Sequence, residues 1–196
     1  MKNYRLTFLK KLSFPLLIIS MAAFLPQMLF AQKASFSTSD LFRISDNSVV
    51  EGAQSQLVRN PNGLTLTIHT SDLPPGAYTV WWVIENYPQY CTERPCSSAD
   101  EANPLVQTSV FNATGHVVGN TGAGNFGAWI GIGGPYSGEV LFGPGLLNPL
   151  GADVYLVVRY HGPVIPGMIK EQTTTFDGGC SINTCSDEQI AFHISS

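Results

Sequence analysis

Apolar and polar residues alternate along most of the chain beyond residue 60, with the period of two that is typical of β-strands. In the run Leu64–Thr70, leucine and isoleucine fall on one side, and threonine and histidine fall on the other. The run Tyr78–Ile84 follows a turn rich in proline and glycine and again places large apolar residues at every second position. Each run predicts a strand with one buried face.

Short segments of the same kind continue to the end of the chain. The 19 glycines and 13 prolines suit many turns between short strands. No window of helical length carries an apolar stripe with a period of 3.6 residues and recognisable caps. We therefore predict an all-β, single-domain antiparallel β-sandwich, for example of the Ig-like kind. The further predicted strands are Val106–Phe111, Gly115–Val118, Phe126–Ile132, Val140–Phe142, Val154–Tyr160, Gln172–Phe176 and Ile190–Ile194.

The first 31 residues have the pattern of an export signal. They contain four Lys and Arg residues and no acidic residue, an apolar run covers residues 14–24, and Ala31 offers a small residue at a plausible cleavage point. Pro15 and Pro26 interrupt the apolar stretch, which makes a permanent membrane span a poorer interpretation than a signal peptide. We expect cleavage near Ala31 and a secreted or periplasmic mature protein, of bacterial type. A retained anchor is the alternative.

The segment that follows the predicted signal is harder to assign. Residues 35–40 are mostly polar, so we expect residues 32–45 to form a flexible N-terminal segment. The run Ser48–Glu51 looks like an opening strand, and it places the β-sandwich domain at residues 46–196.

Charge excludes one large class of partner. The whole chain has a formal net charge of −4, and the part beyond residue 31 has six Lys and Arg against fourteen Asp and Glu, a net charge of −8. A surface of this sign repels phosphate backbones, so we expect no nucleic-acid partner. We also expect no stable membrane span in the mature protein and no cofactor.

The outward-facing side chains of two predicted strands are unusual. In the strand at Val154–Tyr160, the more apolar set should face the core, and the same holds for Tyr78, Val80, Trp82 and Ile84 in the earlier strand. The sets left on the outer side are Thr79, Trp81, Val83 and Glu85, and Tyr155, Val157, Arg159 and His161. Solvation alone would favour threonine, serine and lysine at such positions.

Three interpretations of this outer side stay open. In the first, loops or a second sheet cover Trp81 and Tyr155, while Glu85 and Arg159 pair at the edge. In the second, the surface binds a ligand through Trp81, Glu85, Tyr155, Arg159 and His161.

The third interpretation is a metal site built from His69, His161 and His193, with His69 and His193 on the outer faces of their strands. Zinc or copper requires three or four ligands that converge at about 2.0–2.3 Å, and positions on distant strands do not demonstrate this.

Four cysteines form two closely spaced pairs, Cys91/Cys96 and Cys180/Cys185. In an oxidising compartment we expect two disulfides, for which three connectivities exist. Local pairing requires each chain segment to turn back, which the polar and proline-containing residues between the cysteines permit. We favour local pairing, which would clamp two loops next to predicted strands; crossed pairs and a four-cysteine zinc site are the alternatives.

Part of the chain resembles a known family. The stretches Leu73–Val83 and Gly151–Pro163 look like segments of exported bacterial β-proteins of unassigned function. The second stretch, followed by Pro166–Gln172, is also remotely similar to CHRD domains, in which a strand leads into a turn and a final glutamine-containing strand. That resemblance implies a sandwich of the CHRD or copper/zinc superoxide dismutase kind. The H-x-H metal pair of the dismutase is missing here, so none of its residues carry over.

The sequence thus favours an exported, disulfide-containing β-sandwich that binds a ligand or serves a structural role, more so than an enzyme. A metal-binding protein or enzyme that uses His69, His161 and His193 is the rival hypothesis. Neither the ligand nor the partner is identified by any motif.

Overall fold

A computed structural model describes residues 34–195, so the predicted signal peptide at residues 1–31 lies outside the described residues. Strands make up most of the regular structure, joined by one short helix and two 3₁₀ turns at Pro88–Tyr90 and Ser98–Asp100. The strands are β1 (Ser35–Arg43), β2 (Val49–Asn60), β3 (Gly63–Thr70), β4 (Gly76–Glu85), β5 (Thr108–Val118), β6 (Gly124–Gly131), β7 (Val140–Phe142), β8 (Asp153–Tyr160) and β9 (Ser186–His193), and the helix is α1 (Ile169–Thr174).

All nine strands belong to one curled antiparallel sheet, in the order β6-β3-β2-β1-β9-β8-β4-β5-β7. The two halves of this sheet enclose a single core, because side chains of β2, β3 and β6 pack in one cluster with those of β4, β5 and β8. The predicted all-β antiparallel fold with two disulfide-bearing loops is confirmed.

The inward faces of β4 and β8 follow the predicted alternation. Tyr78, Val80, Trp82 and Ile84 lie in the core cluster, together with Val154, Leu156 and Val158 of the neighbouring strand. The two strands pair in register, so residues that face each other across the pair share a side of the sheet. Period-two patterning therefore sets which side chains form the core.

Most of the segment predicted to be a flexible tail is strand β1. Ser35–Asp40 pairs with β2, and Phe42 and Arg43 pair with β9. Leu41 reaches the core, but the Ser37 hydroxyl is hydrogen-bonded to the His193 ring at 2.9 Å, and Ser39 accepts a hydrogen bond from the β9 backbone. The inward positions of β1 are mainly serine, and for that reason the alternation gave no strand signal.

The strand predicted at Gln172–Phe176 is wrong, because α1 occupies most of that segment. Thr173 and Thr174 donate their hydroxyl hydrogens to backbone carbonyls four residues earlier, at 2.7 Å in each case. This local bonding satisfies carbonyls of a six-residue helix that has no apolar stripe to announce it. Within residues 34–195, no helix has the length and apolar character needed to cross a membrane.

Candidate functional site

The outer side of β4 and β8 is buried although it lies away from the core. Thr79, Trp81 and Glu85 are 0%, 2% and 1% exposed, and Tyr155 and His161 are buried as well. We call this surface, the outer side of β4, β5 and β8, the covered face. Its cover consists of α1 and the two disulfide-bearing loops, as the contacts below show.

Both disulfides join neighbours in the sequence. Cys91 pairs with Cys96 and Cys180 pairs with Cys185, with Cα atoms 5.4 Å apart in each pair. Local pairing is thus confirmed. The first loop follows the end of β4, and the second ends where β9 begins, so each bridge holds a chain segment next to the covered face.

Asp100 organises the loop closed by Cys91 and Cys96. Its carboxylate accepts hydrogen bonds from the backbone N–H and the hydroxyl of Thr92, and from the backbone N–H and the hydroxyl of Ser97. These bonds, those from Thr92 first, lower the pKa of Asp100 to about 2. A permanently charged carboxylate therefore holds both ends of this loop at neutral pH.

The same loop is attached to the sheet through Arg94. Its Nε donates to Asp153 Oδ2 at 3.1 Å, and its Nη2 donates to Asp153 Oδ1 at 2.6 Å. The Asp153 carboxylate is fully buried at the start of β8, and its hydrogen bond raises the pKa of Arg94. The Tyr155 hydroxyl donates to the Cys96 carbonyl at 3.4 Å. The loop thus covers the end of the covered face that contains Tyr155.

Glu85 and Arg159 do not pair, contrary to the edge pair expected in the packing interpretation. Glu85 faces Asp153 across the β4–β8 pair, whereas Arg159 faces Thr79, at the other end of the strands. The Glu85 carboxylate accepts a hydrogen bond from the Thr108 hydroxyl. Burial raises the pKa of Glu85, although this hydrogen bond opposes the shift.

The segment around the second disulfide covers the opposite end. The backbone of α1 approaches β5 so closely that a Cβ at Gly115 would lie 2.0 Å from the carbonyl oxygen of Thr173. The Asn183 side-chain amide donates to the carbonyl oxygens of His161 at 2.9 Å and Pro163 at 2.8 Å. Glycine on β5 is therefore a condition for the helix to lie on the sheet.

A chain of three buried hydrogen bonds connects the sheet to this cover. The Trp81 Nε1–H donates to Thr79 Oγ1 at 2.7 Å, Thr79 Oγ1 lies 2.8 Å from His161 Nε2, and His161 Nδ1 lies 2.9 Å from the Gly178 carbonyl oxygen. Since the Gly178 carbonyl only accepts, His161 Nδ1 carries the ring proton, and the neutral Nε2 accepts the threonine hydroxyl hydrogen. Burial lowers the pKa of His161 and keeps this ring neutral.

Arg159 holds Phe176 over the covered face. Its guanidinium carbon lies 3.8 Å from the centre of the Phe176 ring, and Nε donates to the Phe176 carbonyl at 3.0 Å. Nη1 also donates to Asp187 at 2.8 Å. The Phe176 ring packs edge-on against Trp81 with centroids 5.3 Å apart. Arg159 thus acts on this surface by positioning an aromatic side chain.

One part of the covered face stays open as a cleft of about 270 Å³. Strands β4, β5 and β8 line it with Trp81, Val83, Val110 and Val157. Two acidic residues, Glu101 and Asp187, also line it. The remaining lining residues are Leu141, Phe142 and Phe176. The volume lies just under the range of about 300–1,000 Å³ typical of small-molecule sites. The cleft is a small apolar site that carries two acidic groups and no Lys or Arg.

The cleft contains one of the five residues predicted to bind a ligand, Trp81. The other four, Glu85, Tyr155, Arg159 and His161, do not line it, although Arg159 contacts the lining residues Phe176 and Asp187. Sequence reasoning missed Phe176, which lies in a loop after an unpredicted helix and carries no pattern of its own. Leu141 and Phe142 belong to a predicted strand, but only the sheet order brings β7 next to β5.

The three histidines predicted as metal ligands are placed apart. His69 is exposed on the outer side of β3 and hydrogen-bonded to Asn125 at 2.7 Å, and β2, β1 and β9 lie between β3 and β8. His193 faces inward, because it pairs with the core residue Val154; its predicted outward position is wrong. Its ring nitrogens bond the hydroxyls of Ser37 and Ser55, each at 2.9 Å.

Two other groups of potential ligand atoms occur within residues 34–195: His161 with Cys180 and Cys185, and Glu85 with Cys91 and Cys96. In both groups the sulfurs form a disulfide. A disulfide sulfur is not the thiolate that binds zinc or copper, so neither group offers a metal-binding set in the oxidised protein.

Comparison with protein-family models, with curated proteins and with solved structures found no match for this chain. The resemblance to CHRD domains stays a prediction from the sequence.

Proposed function

We propose that this chain is an exported, non-catalytic binding module and that its cleft on the covered face takes an apolar ligand with a positively charged group. The observation that carries the proposal is the composition of the cleft. Aromatic and branched apolar side chains supply contact area, and the Glu101 carboxylate supplies negative charge, because the other carboxylate, Asp187, is already paired with Arg159 at 2.8 Å. Two disulfides suit a protein that works in an oxidising compartment.

The groups best suited to acid–base chemistry support a binding role over catalysis. His161 and His193 are buried, and both ring nitrogens of each have hydrogen-bond partners within the protein. Such rings have no free lone pair or N–H directed at a substrate. A preformed cleft between clamped loops also binds at a lower entropic cost than a mobile surface.

The test compares phenethylammonium with phenylpropionate, two probes of similar shape and opposite charge. Trp81 fluorescence and saturation-transfer NMR should detect the ammonium more strongly than the carboxylate. Val83→Phe, which fills the cleft, should abolish binding, and Glu101→Gln should weaken the preference for the ammonium. Val117→Phe, at a half-exposed valine of β5 outside the cleft lining, is the matched control. Equal response to both probes, or binding that survives Val83→Phe, would refute the proposal.

A further inference from the structure

The outer side of the other half of the sheet is exposed and organised in rows. Cross-strand partners place twelve outward positions of β6, β3, β2 and β1 in three parallel lines. We call this surface the bare face; all twelve positions are exposed or half-buried. The rows are Phe36, Val58, Thr65 and Trp129; Thr38, Gln56, Thr67 and Gly127; and Asp40, Gln54, His69 and Asn125.

Trp129 is the prominent member of the first row, with 54% of its surface exposed. Its neighbours two residues away on the same strand, Gly127 and Gly131, lack side chains. A Cβ at Gly131 would lie 2.7 Å from the indole Cη2, so the ring lies directly against the strand there. Phe36, 61% exposed, ends the same row three strands away, at about 14 Å. The row is thus a pair of aromatic platforms joined by Val58 and Thr65.

The other two rows carry amides, hydroxyls and an imidazole. Gln56 donates to Gln54 at 3.1 Å, and His69 is hydrogen-bonded to Asn125 at 2.7 Å. These contacts orient the planar groups across the sheet, and each amide has both a donor and an acceptor, of which one is used in its contact. Aromatic platforms beside such groups match the two sides of a sugar, whose C–H face stacks on rings and whose hydroxyls form hydrogen bonds.

We propose that the bare face binds an extended, neutral, β-linked polysaccharide. The charge of the face selects this ligand: Asp40, at one corner, is the one acidic residue of the rows, and they contain no Lys or Arg. An anionic polymer or lipid headgroup finds no cation here, and a cationic peptide finds little negative charge. A broad surface of three parallel rows suits a ribbon-like chain that contacts several rings. The site is independent of the cleft on the covered face.

The experiment measures retardation of the purified protein in native gels that contain soluble polysaccharides. Mixed-linkage β-glucan and hydroxyethylcellulose serve as neutral β-linked probes, amylose as a neutral α-linked probe and polygalacturonate as an acidic probe. We expect binding to the β-glucans and weaker or no binding to the other two. Preference for polygalacturonate, or the absence of any retardation, would overturn the proposal.

Variants place the binding on the bare face. Trp129→Ala should reduce the affinity for β-glucan at least about tenfold, Phe36→Ala should reduce it less, and Trp129→Tyr should retain most of it. Tyr90→Ala, at an exposed aromatic in the loop after β4 and outside both the bare face and the cleft lining, is the matched control and should bind as the wild type does. All three positions are exposed, so the variants should fold. Unchanged affinity in Trp129→Ala, or a dimer that this variant dissociates, would show that the face serves another purpose.

Discussion

The two outer faces of this one sheet differ in what lies on them. The covered face is packed under α1 and two disulfide-clamped loops, whereas the bare face presents three rows of side chains to solvent. Apart from β1, whose inward positions are mainly serine, the strands of both faces have an apolar inner side and follow the same alternation. The difference lies in the outward residues: Trp81, Tyr155 and Arg159 on the covered face, against threonine, glutamine and asparagine at half of the positions of the bare face.

The outward residue types therefore indicate whether other segments of the chain pack on that face of the sheet. A large aromatic side chain on the outer side of a strand is stable under a cover, where it buries its area, and is unfavourable in water unless it serves a contact. Trp81 follows the first rule. Trp129 is large, exposed and flanked by glycines, so we interpret it as a side chain that contacts a ligand.

The largest expected effect comes from removing the two tryptophans separately. Trp81→Ala should lower the free energy of unfolding by about 3–5 kcal/mol, because a buried indole is replaced by a cavity. Trp129→Ala should change it by less than about 0.5 kcal/mol, since its ring is half in solvent. Urea unfolding with the disulfides intact measures both. Similar losses in the two variants would contradict the distinction between the faces.

The next effect concerns the buried hydrogen-bond chain. Thr79→Val keeps the shape of the side chain but leaves Trp81 Nε1 and His161 Nε2 without their partner, and we expect a loss of roughly 3 kcal/mol, since each unpaired buried group costs about 1–3 kcal/mol.

Thr67→Val is the matched control for this variant. Thr67 is half-buried in the second row of the bare face, and valine suits a strand at least as well as threonine. Its stability should therefore stay within about 0.5 kcal/mol of the wild type. If both variants lose the same amount, the hydrogen-bond chain contributes nothing specific to the covered face.

Removing one disulfide should lower the free energy of unfolding by less than the two destabilising substitutions above, and the effect should be confined to the covered face. Each six-residue disulfide loop restricts the unfolded chain by about 2 kcal/mol, so the double variants Cys91→Ser/Cys96→Ser and Cys180→Ser/Cys185→Ser should each lose about that amount. Hydrogen exchange should accelerate in β4 and β8 while β2 and β3 stay protected.

A thiol titration sets the baseline for the disulfide variants. The denatured, unreduced protein should show no free thiol, because both pairs are bridged among the described residues. Four free thiols, or equal acceleration of exchange in both halves of the sheet, would refute the idea that the bridges hold the cover in place.

The sequence predicts the inner side of this fold far better than its outer side. Burial in the core depends on alternation, a local property, and the core positions of β4 and β8 followed from it. The packing of a loop onto an outer face depends on residues far apart in sequence, such as Arg94 with Asp153 or Arg159 with Phe176. A short segment of sequence does not contain both residues of either contact, so local patterns do not predict these contacts.

One strand was missed and another was predicted wrongly, in both cases because polar side chains form hydrogen bonds that the alternation of apolar and polar residues does not reveal. β1 escaped prediction because its inward serines bond to β9, and the predicted strand at Gln172–Phe176 became a helix because threonines bond to the preceding turn. Of the five residues predicted to bind a ligand, Trp81 alone lines the cleft, and its other aromatic side chains come from β7 and from the loop after α1. The large outward side chains of β4 and β8 were consistent with a face that other segments cover, but they did not indicate which segments these are.

Lowering the pH should give the smallest decrease in the free energy of unfolding, and on the covered face this decrease should arise from protonation of His161. Burial lowers the pKa of His161 below the unfolded value of 6.5. Between these two values the unfolded state binds the proton and the folded state does not, so stability is complete above about pH 6.5 and falls as the pH decreases. Each pH unit below 6.5 can remove at most about 1.4 kcal/mol per histidine. Protonation of Nε2 would also remove the lone pair that accepts the Thr79 hydroxyl hydrogen.

Histidine variants separate this contribution from that of the inner side. Burial also lowers the pKa of His193, to about 4, so it adds a decline of the same sign between pH 6.5 and 4. Urea unfolding at pH 7 and 5.5 should show a smaller decline in His161→Gln and in His193→Gln than in the wild type, and the smallest decline in the double variant. At pH 5.5, hydrogen exchange near Gly178 should accelerate in the wild type but not in His161→Gln. If His161→Gln keeps the full pH dependence, its neutral ring does not connect the cover to the sheet, and the covered face is held by the disulfides and ion pairs alone.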